Sequence, residues 1–437
     1  MYKSIVGLVL ILASGWLQAQ PLLTLEQAIG ETLEKNFSIV VAKKNEQIAA
    51  NNNDIGNAGF LPIVNAETTL TNSTNNTEQS FFDGREFNVP NASSRILNAN
   101  LRLDWVLFDG FRMFATKERL GYLEAIGKTQ TQLVIESTLV ELITNYYDLS
   151  SNQNLLELYG EALAVSKSRR DLIQRRFDLG AGNRIELLQT IVNVNTDSSL
   201  YVQQANVVKR LKTVVNQYMN RDIKTDFKVE SQISYNKNFL YEELLNMALM
   251  QNRELSEARL NVKVTNAAIK EAKSNYWPQL LIFSGLNYNQ LENEAGFVQS
   301  SLSQGYNYGL NVRLNLFNGF NDRRQVQNER LNREALDNEV LDLELRISSN
   351  LYNAYNDFQT AITIAEFEND NLEIAQENLK IAVEQYSLGS INEVTFREIQ
   401  QNVVQVSNRL YAAQFEIKLA EIELMQISGL IIGNSGI

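Results

Sequence analysis

Phe108-Asp109-Gly110-Phe111 recurs 209 residues later as Phe317-Asn318-Gly319-Phe320, and Phe177-Asp178-Leu179-Gly180 recurs at the same distance as Tyr386-Ser387-Leu388-Gly389. Nearer the start of each copy, Asn36 matches Asn252 and Pro62 matches Pro278, both 216 apart. A loop shorter by seven residues in one half reconciles the two spacings. A long internal period dictates architecture before any local propensity does. The chain is therefore two similar halves, roughly 22–220 and 240–430.

Heptads test the duplication independently. Leu142, Leu149, Leu156 and Leu163 stand seven apart; their counterparts are Leu351, Phe358, Ala365 and Leu372, continuing to Leu379 and Tyr386. Ile347, Ala354, Ala361, Ala375 and Ala382 interleave, broken by Glu368. Alternating three- and four-residue spacing over about six heptads is the pattern of a coiled-coil seam. In the next helix Leu187, Val194, Tyr201, Val208 and Val215 map onto Phe396, Val403, Leu410, Ile417 and Leu424, apolar at every position. Such stripes hold helices together and bind nothing; alanines facing Leu or Phe suit close helix approach.

Helix lengths follow. Gly110 to Asp178 has no proline and is helix-patterned throughout, which at 1.5 Å per residue is ~100 Å of helix. After the Leu179–Gly182 turn, a helix over Arg184 to Met219 spans ~54 Å, and one over Asn36 to Ala58 adds ~35 Å. The second half repeats this at 319–387, 392–428 and 252–276. Two short helices stacked end to end match one long one. This predicts long antiparallel coiled-coil helices with a mid-length junction near 220–240.

Between Pro62 and Phe108, and between Pro278 and Phe317, the period becomes two. Leu97, Ala99, Leu101, Leu103, Trp105 and Leu107 alternate with Asn98, Asn100, Arg102 and Asp104, and Tyr306–Leu316 alternates in the same way. The edge of a soluble sheet can look like this. An 11-residue strand with aromatics near its end also matches a membrane-spanning barrel strand. Ile63–Asn72 and Leu280–Asn289 are weaker strands; the Asn-, Ser- and Thr-rich stretches Thr71–Arg95 and Gln290–Gln304 read as surface loops. Pro62 and Pro278 end helices, and Asp109 and Asn318 are N-caps for the helices that follow. Four strands per chain cannot close a barrel, and a membrane tolerates no open edge. Two chains would supply eight strands, enough to be filled by side chains; three would supply twelve and a lumen.

Composition removes most other functions. Without cysteine there is no disulfide, thiolate site or N-terminal lipid anchor, and without histidine the commonest base and metal ligand are missing. No cofactor is expected. The net charge of −12 argues against a nucleic-acid partner, which needs clustered Lys and Arg. Lys3, the apolar run Ile5–Ala13 and Leu17-Gln18-Ala19 form a secretory signal over residues 1–19. Beyond it no run of 18 apolar residues could cross a bilayer as a helix. Carboxylate-only catalysis needs just two acids, but no acid pair is fixed on adjoining strand ends.

The duplicated half, Leu107–Gly110 with Leu316–Gly319, the turn motifs Phe177–Leu187 and Tyr386–Phe396, and the opening Leu25-Glu26-Gln27-Ala28-Ile29 with Leu33 and Asn36 together resemble the outer-membrane efflux proteins of the TolC family. The resemblance covers nearly the whole chain after residue 19. It implies a mainly α protein with membrane β: a homotrimer whose helices form an α-barrel across the periplasm and whose four strands per chain share a 12-stranded β-barrel in outer-membrane lipid. It implies docking on a periplasmic adaptor joined to an inner-membrane pump, in efflux or type I secretion, with passive conduction and no catalysis. The domains would be repeats at 20–220 and 241–437 around an equatorial linker, 221–240.

In that family polar and acidic side chains just past the helix turns close the periplasmic tip. The first-half acidic position matches Glu186; in the second half one position is Thr395 here, a departure, and the next matches Glu398, with Glu393 as an acidic neighbour. A three-fold ring of carboxylates would favour cations, although acids on coiled-coil faces are ordinarily just solvated. Leu179-Gly180 and Leu388-Gly389 read as helix C-caps and as the adaptor-facing tip. The competing reading is a periplasmic or surface coiled-coil protein, structural or adhesive, without a pore. It explains the heptads but not the duplicated ribbons.

Overall fold

A computed structural model describes residues 21–432; the expected signal segment lies outside them. A capping box starts α1 (Leu25–Lys35): Thr24 Oγ1 accepts from the Gln27 amide and Gln27 Oε1 from the Thr24 amide, each at 3.3 Å. After α2 (Phe37–Asn52) come strands β2 (Ile63–Ser80) and β3 (Glu86–Phe108), then helices α3 (Arg112–Asp178) and α4 (Arg184–Tyr218). The second half runs α5 (Tyr241–Gln251), α6 (Arg253–Lys273), a 3₁₀ turn, β5 (Gln279–Asn293), β6 (Ser300–Arg313), α7 (Asn321–Ser387) and α8 (Glu393–Ile427). The long helices are 67 residues in both halves and their partners 35. The two-residue strands β1 (Leu22–Leu23) and β4 (Lys228–Val229) pair in parallel, so the 221–240 segment lies beside the first residues of the repeat.

Two compact units emerge, and each draws on both halves. Among the described residues, one comprises 21–41, 134–252 and 346–432; the other comprises 42–133 and 253–345. In the first unit the heptad stripes are the core. Leu142, Leu149, Leu351, Phe358, Ile417 and Leu424 are fully buried, while Tyr201 stands 37% exposed. The break at Glu368 is answered by Arg409, whose Nε donates to Glu368 Oε1 at 2.9 Å. Phe227 and Val229 of the linker join the same core.

The matched asparagines do one job twice. Asn36 Nδ2 donates to the Tyr218 carbonyl at the end of α4 (2.9 Å), and Asn252 Nδ2 to the Ile427 carbonyl at the end of α8 (3.1 Å). Asn36 Oδ1 also accepts from the Ser38 amide at 2.9 Å, capping α2.

The second unit holds one antiparallel sheet in the order β2-β3-β5-β6. Two expectations change here. The stretches read as loops are mostly strand: the β2–β3 turn is only 81–85, and the β5–β6 connection only 294–299. Backbone ladders form whatever the side chains are, and where both faces carry Asn, Ser and Thr no period of two can be read. Asp109 does accept from the Met113 amide (2.9 Å), but across a left-handed pair, Gly110 (φ 72°) and Phe111 (φ 69°), so α3 starts at Arg112. Asn318 does not cap α7 that way; its Nδ2 donates to Asp322 Oδ2 at 2.5 Å.

Candidate functional site

Two regions carry chemistry: the turns that end α3 and α7, and the two faces of the sheet.

Both turns are Schellman motifs. The Ala181 amide donates to the Arg176 carbonyl (2.9 Å) and Gly180 to Phe177 (3.0 Å); Ser390 donates to Gln385 (2.9 Å) and Gly389 to Tyr386 (3.1 Å). Gly180 and Gly389, at φ 75° and 73°, take the left-handed position that glycine fills without strain. Leu179 and Leu388 are 84% and 80% exposed, an apolar side chain presented at each turn. Asn183 and Asn392 then cap α4 and α8.

The three acids differ. Glu398 is exposed and Glu186 half-buried. Glu393 is buried: its carboxylate meets the Arg169 guanidinium in an ion pair whose side chains are 9% and 7% exposed. Tyr386 Oη donates to Glu393 Oε2 at 3.0 Å and reaches within 3.5 Å of Glu186 Oε1. Arg169 lies over the Phe396 ring, 4.2 Å from its centroid, and 5.2 Å from that of Tyr386. Burial, and then the negative charge of Glu393, push the Tyr386 hydroxyl up to about 12. A second buried ion pair lies alongside: Arg397 donates to both Asp197 oxygens at 2.5 and 2.8 Å, and Ser166 Oγ to Asp197 Oδ2 at 2.5 Å.

Sequence reasoning missed Arg169, Asp197 and Arg397. The signal was present: Leu163, Ser166, Arg169 and Ile173 continue a buried three/four spacing along α3, and a charge inside such a stripe needs a buried partner. The counterpart of Arg169 in the second half is Asn378 and that of Glu393 is Arg184, so this cluster breaks the repeat.

In the sheet, side chains segregate by face. Leu101, Leu286 and Tyr306 lie side by side across β3, β5 and β6, while the neighbouring row is Arg102, Gly285 and Asn307. Arg102 pairs with Asp104 at 2.8 Å. At the strand ends nearest the helices aromatic rings gather: Phe60 with Phe114 (5.1 Å), Phe108 with Phe111 (5.1 Å) and Phe317 with Phe320 (5.3 Å). An apolar face bounded by aromatics is the lipid-facing surface of a barrel strand, and the polar face is the lumenal one. No described helix is long and apolar enough to cross a membrane. Among the described residues no group of carboxylates is disposed to hold a metal.

The profile of the family named "Outer membrane efflux protein" matches residues 28–215 and 244–430, one match in each half. A curated relative, the probable efflux pump outer membrane protein TtgC of Pseudomonas putida, is 20% identical over 421 residues, covering 95% of this chain and 84% of that protein. The crystal structure of the Campylobacter jejuni CmeC outer membrane channel superposes with TM-score 0.74 at 15% identity, over 93% of this chain and 85% of that one. The open-state Neisseria gonorrhoeae MtrE outer membrane channel gives TM-score 0.71 at 14% identity, over 93% and 89%. At these identities the structures speak to the fold, which is that of the TolC-like channels.

Proposed function

The chain belongs to the outer membrane efflux protein family, and we propose that it works as a homotrimer whose pooled strands close a 12-stranded barrel around a lumen. It is an outer-membrane channel of an efflux system, extending into the periplasm, and it catalyses nothing. The domain organisation we propose is two repeats, 20–220 and 241–437, around the linker 221–240.

One observation carries the trimer: the chain leaves matching surfaces unpaired at both units. In the sheet, β2 and β6 are free edges beside a face that lipid would cover. In the helical unit, Phe367, Ile374 and Ile381 stand seven apart on α7 at 64%, 67% and 47% exposure, and α4 exposes Ile185, Leu188, Val192 and Val202. In each case a first-half element and a second-half element are left over. Head-to-tail contacts of that kind close into rings.

Conduction is then passive. The lumenal row of Asn, Gly, Thr and paired Arg102–Asp104 offers hydrogen bonds without a deep binding site, so solutes pass. At the tip, the exposed Glu398 and the half-buried Glu186 supply the carboxylates that three-fold symmetry would turn into rings, favouring cations. Glu393 acts differently, neutralised by Arg169 inside each copy. Leu179-Gly180 and Leu388-Gly389 present the apolar turns to a periplasmic adaptor, which links the channel to an inner-membrane pump.

Planar-bilayer recording of the purified protein tests this. Discrete conductance steps with cation preference are expected, and Glu186→Gln weakens that preference, moving the reversal potential under a salt gradient toward zero. A protein found in the outer membrane that never conducts, or one that is a soluble monomer, supports the coiled-coil scaffold instead.

A further inference from the structure

The repeat specifies how one copy meets the next. Within each hairpin the duplication is exact in register: Ile63 faces Asp104 in β2–β3, and their counterparts Gln279 and Arg313 face each other in β5–β6. Between the halves, β3 pairs with β5. The unpaired β6 is the counterpart of β3, and the unpaired β2 that of β5. The contact that joins the halves is thus available a second time, between β6 of one copy and β2 of the next.

We propose that β6 pairs with β2 of the neighbouring copy in the register of β3 with β5, which sets Arg313 directly opposite Glu67 of that copy as a lumenal inter-subunit ion pair. The observed pair Asp104–Phe283 transfers to Arg313–Glu67, and Leu101–Leu286 transfers to Leu310–Leu70. Charge thus meets opposite charge on the polar face, and leucine meets leucine on the apolar one. Opposite charges directly across a strand pair attract, and a slip by one residue would put each side chain on the wrong face. Arg313 and Glu67 are both exposed, and neither has an ion-pair partner among the described residues.

Two independent places show the same surface waiting. A Cβ on Gly110 would lie 2.3 Å from the Ser274 carbonyl oxygen and 2.8 Å from Trp277 Cβ; its counterpart Gly319 has nothing nearer than 4.0 Å. The Phe111 ring packs 6.2 Å from Trp277; their counterparts are the apolar Phe320 and Leu61. In the helical unit, α3 meets α8 through Ser166–Arg397 (3.2 Å) and Arg169–Gln400 (3.3 Å). The same positions on α7 and α4 are Ala375 with Leu188 and Asn378 with Ile191; Leu188 and Ile191 are exposed in the single chain. Asn378 is exposed as well, while Ala375 is buried against Val403 and Val406 of α8.

This register rests on the homotrimer reading, and the test separates the two. The chain has no cysteine, so cysteines can be introduced in pairs without background. Residues directly opposite on antiparallel strands lie ~4.5–5.5 Å apart at Cα, within the range a disulfide bridges; diagonal neighbours at ~7–8 Å are not. Glu67→Cys with Arg313→Cys, oxidised in outer-membrane fractions, should yield covalent dimers and trimers on non-reducing gels at least several-fold above Asn65→Cys or Thr69→Cys with Arg313→Cys. Stronger cross-linking at a shifted pair in a protein that remains trimeric overturns the register and leaves the trimer standing. No cross-link at any pair, with a monomeric native mass, overturns both. A second arm keeps the native side-chain chemistry: Glu67→Arg and Arg313→Glu should each lower the temperature at which the oligomer dissociates in detergent, and the double exchange should recover it. Failure of the exchange to recover it overturns the ion pair.

Discussion

At the scale of residues, the turns that end α3 and α7 are held by charges that the repeat does not duplicate. Burying Arg169 and Glu393 costs desolvation that their attraction offsets only while both are present. Arg169→Met or Glu393→Gln alone should therefore destabilise the helical unit by about 3–5 kcal/mol, read as a lower melting temperature, with the double substitution recovering most of the loss. Tyr386 adds a pH dependence. Its hydroxyl ordinarily titrates at 10.0 and here at about 12, so the folded state holds the proton more tightly than the unfolded one. The stability this contributes is complete below pH 10 and is lost as pH rises through about 12. Tyr386→Phe should flatten that alkaline loss in a thermal-melt series. The place of Arg169 in the buried stripe called for a buried partner, but which acid supplies it was not legible in the chain. The acids were visible just past the turns, but Arg169 lies far away in sequence, and only a folded seam brings the two together.

At the scale of elements, the helices were legible because heptads constrain both period and length. The ends of α3, α4, α7 and α8 fall within two residues of where the seam, the prolines and the glycines put them. The strands were legible only where one face is apolar. Beyond Leu70 β2 has no apolar residue, and before Leu97 the apolar residues of β3 keep no single alternation, so pairing continues there unseen to Ser80 and Glu86. The seam makes its own prediction. Ala382, 1% exposed, packs with Tyr386 and Phe396. Ala382→Leu overfills that layer and should cost about 1–3 kcal/mol in thermal unfolding. In the first half, Asn36→Ala removes both the cap of α2 and the tie to Tyr218 at the end of α4, and should cost about 1–2 kcal/mol. Asn252→Ala should lose its tie to Ile427 in the same way.

At the scale of the whole molecule, the duplication explains why one chain is not a finished object. Two halves make two hairpins and one junction between them; the same junction is left open at the outer edges. A single chain therefore offers two unpaired strand edges and two apolar helix faces, and a membrane accepts neither edge. Pooling three chains gives the twelve strands that leave a lumen. The absence of cysteine and histidine fits a conduit whose work is geometric. The most direct measurement is the native mass of the protein extracted from outer membranes in mild detergent. A single assembly of three chains that withstands the detergent is expected. A stable monomer or dimer as the only species would contradict it.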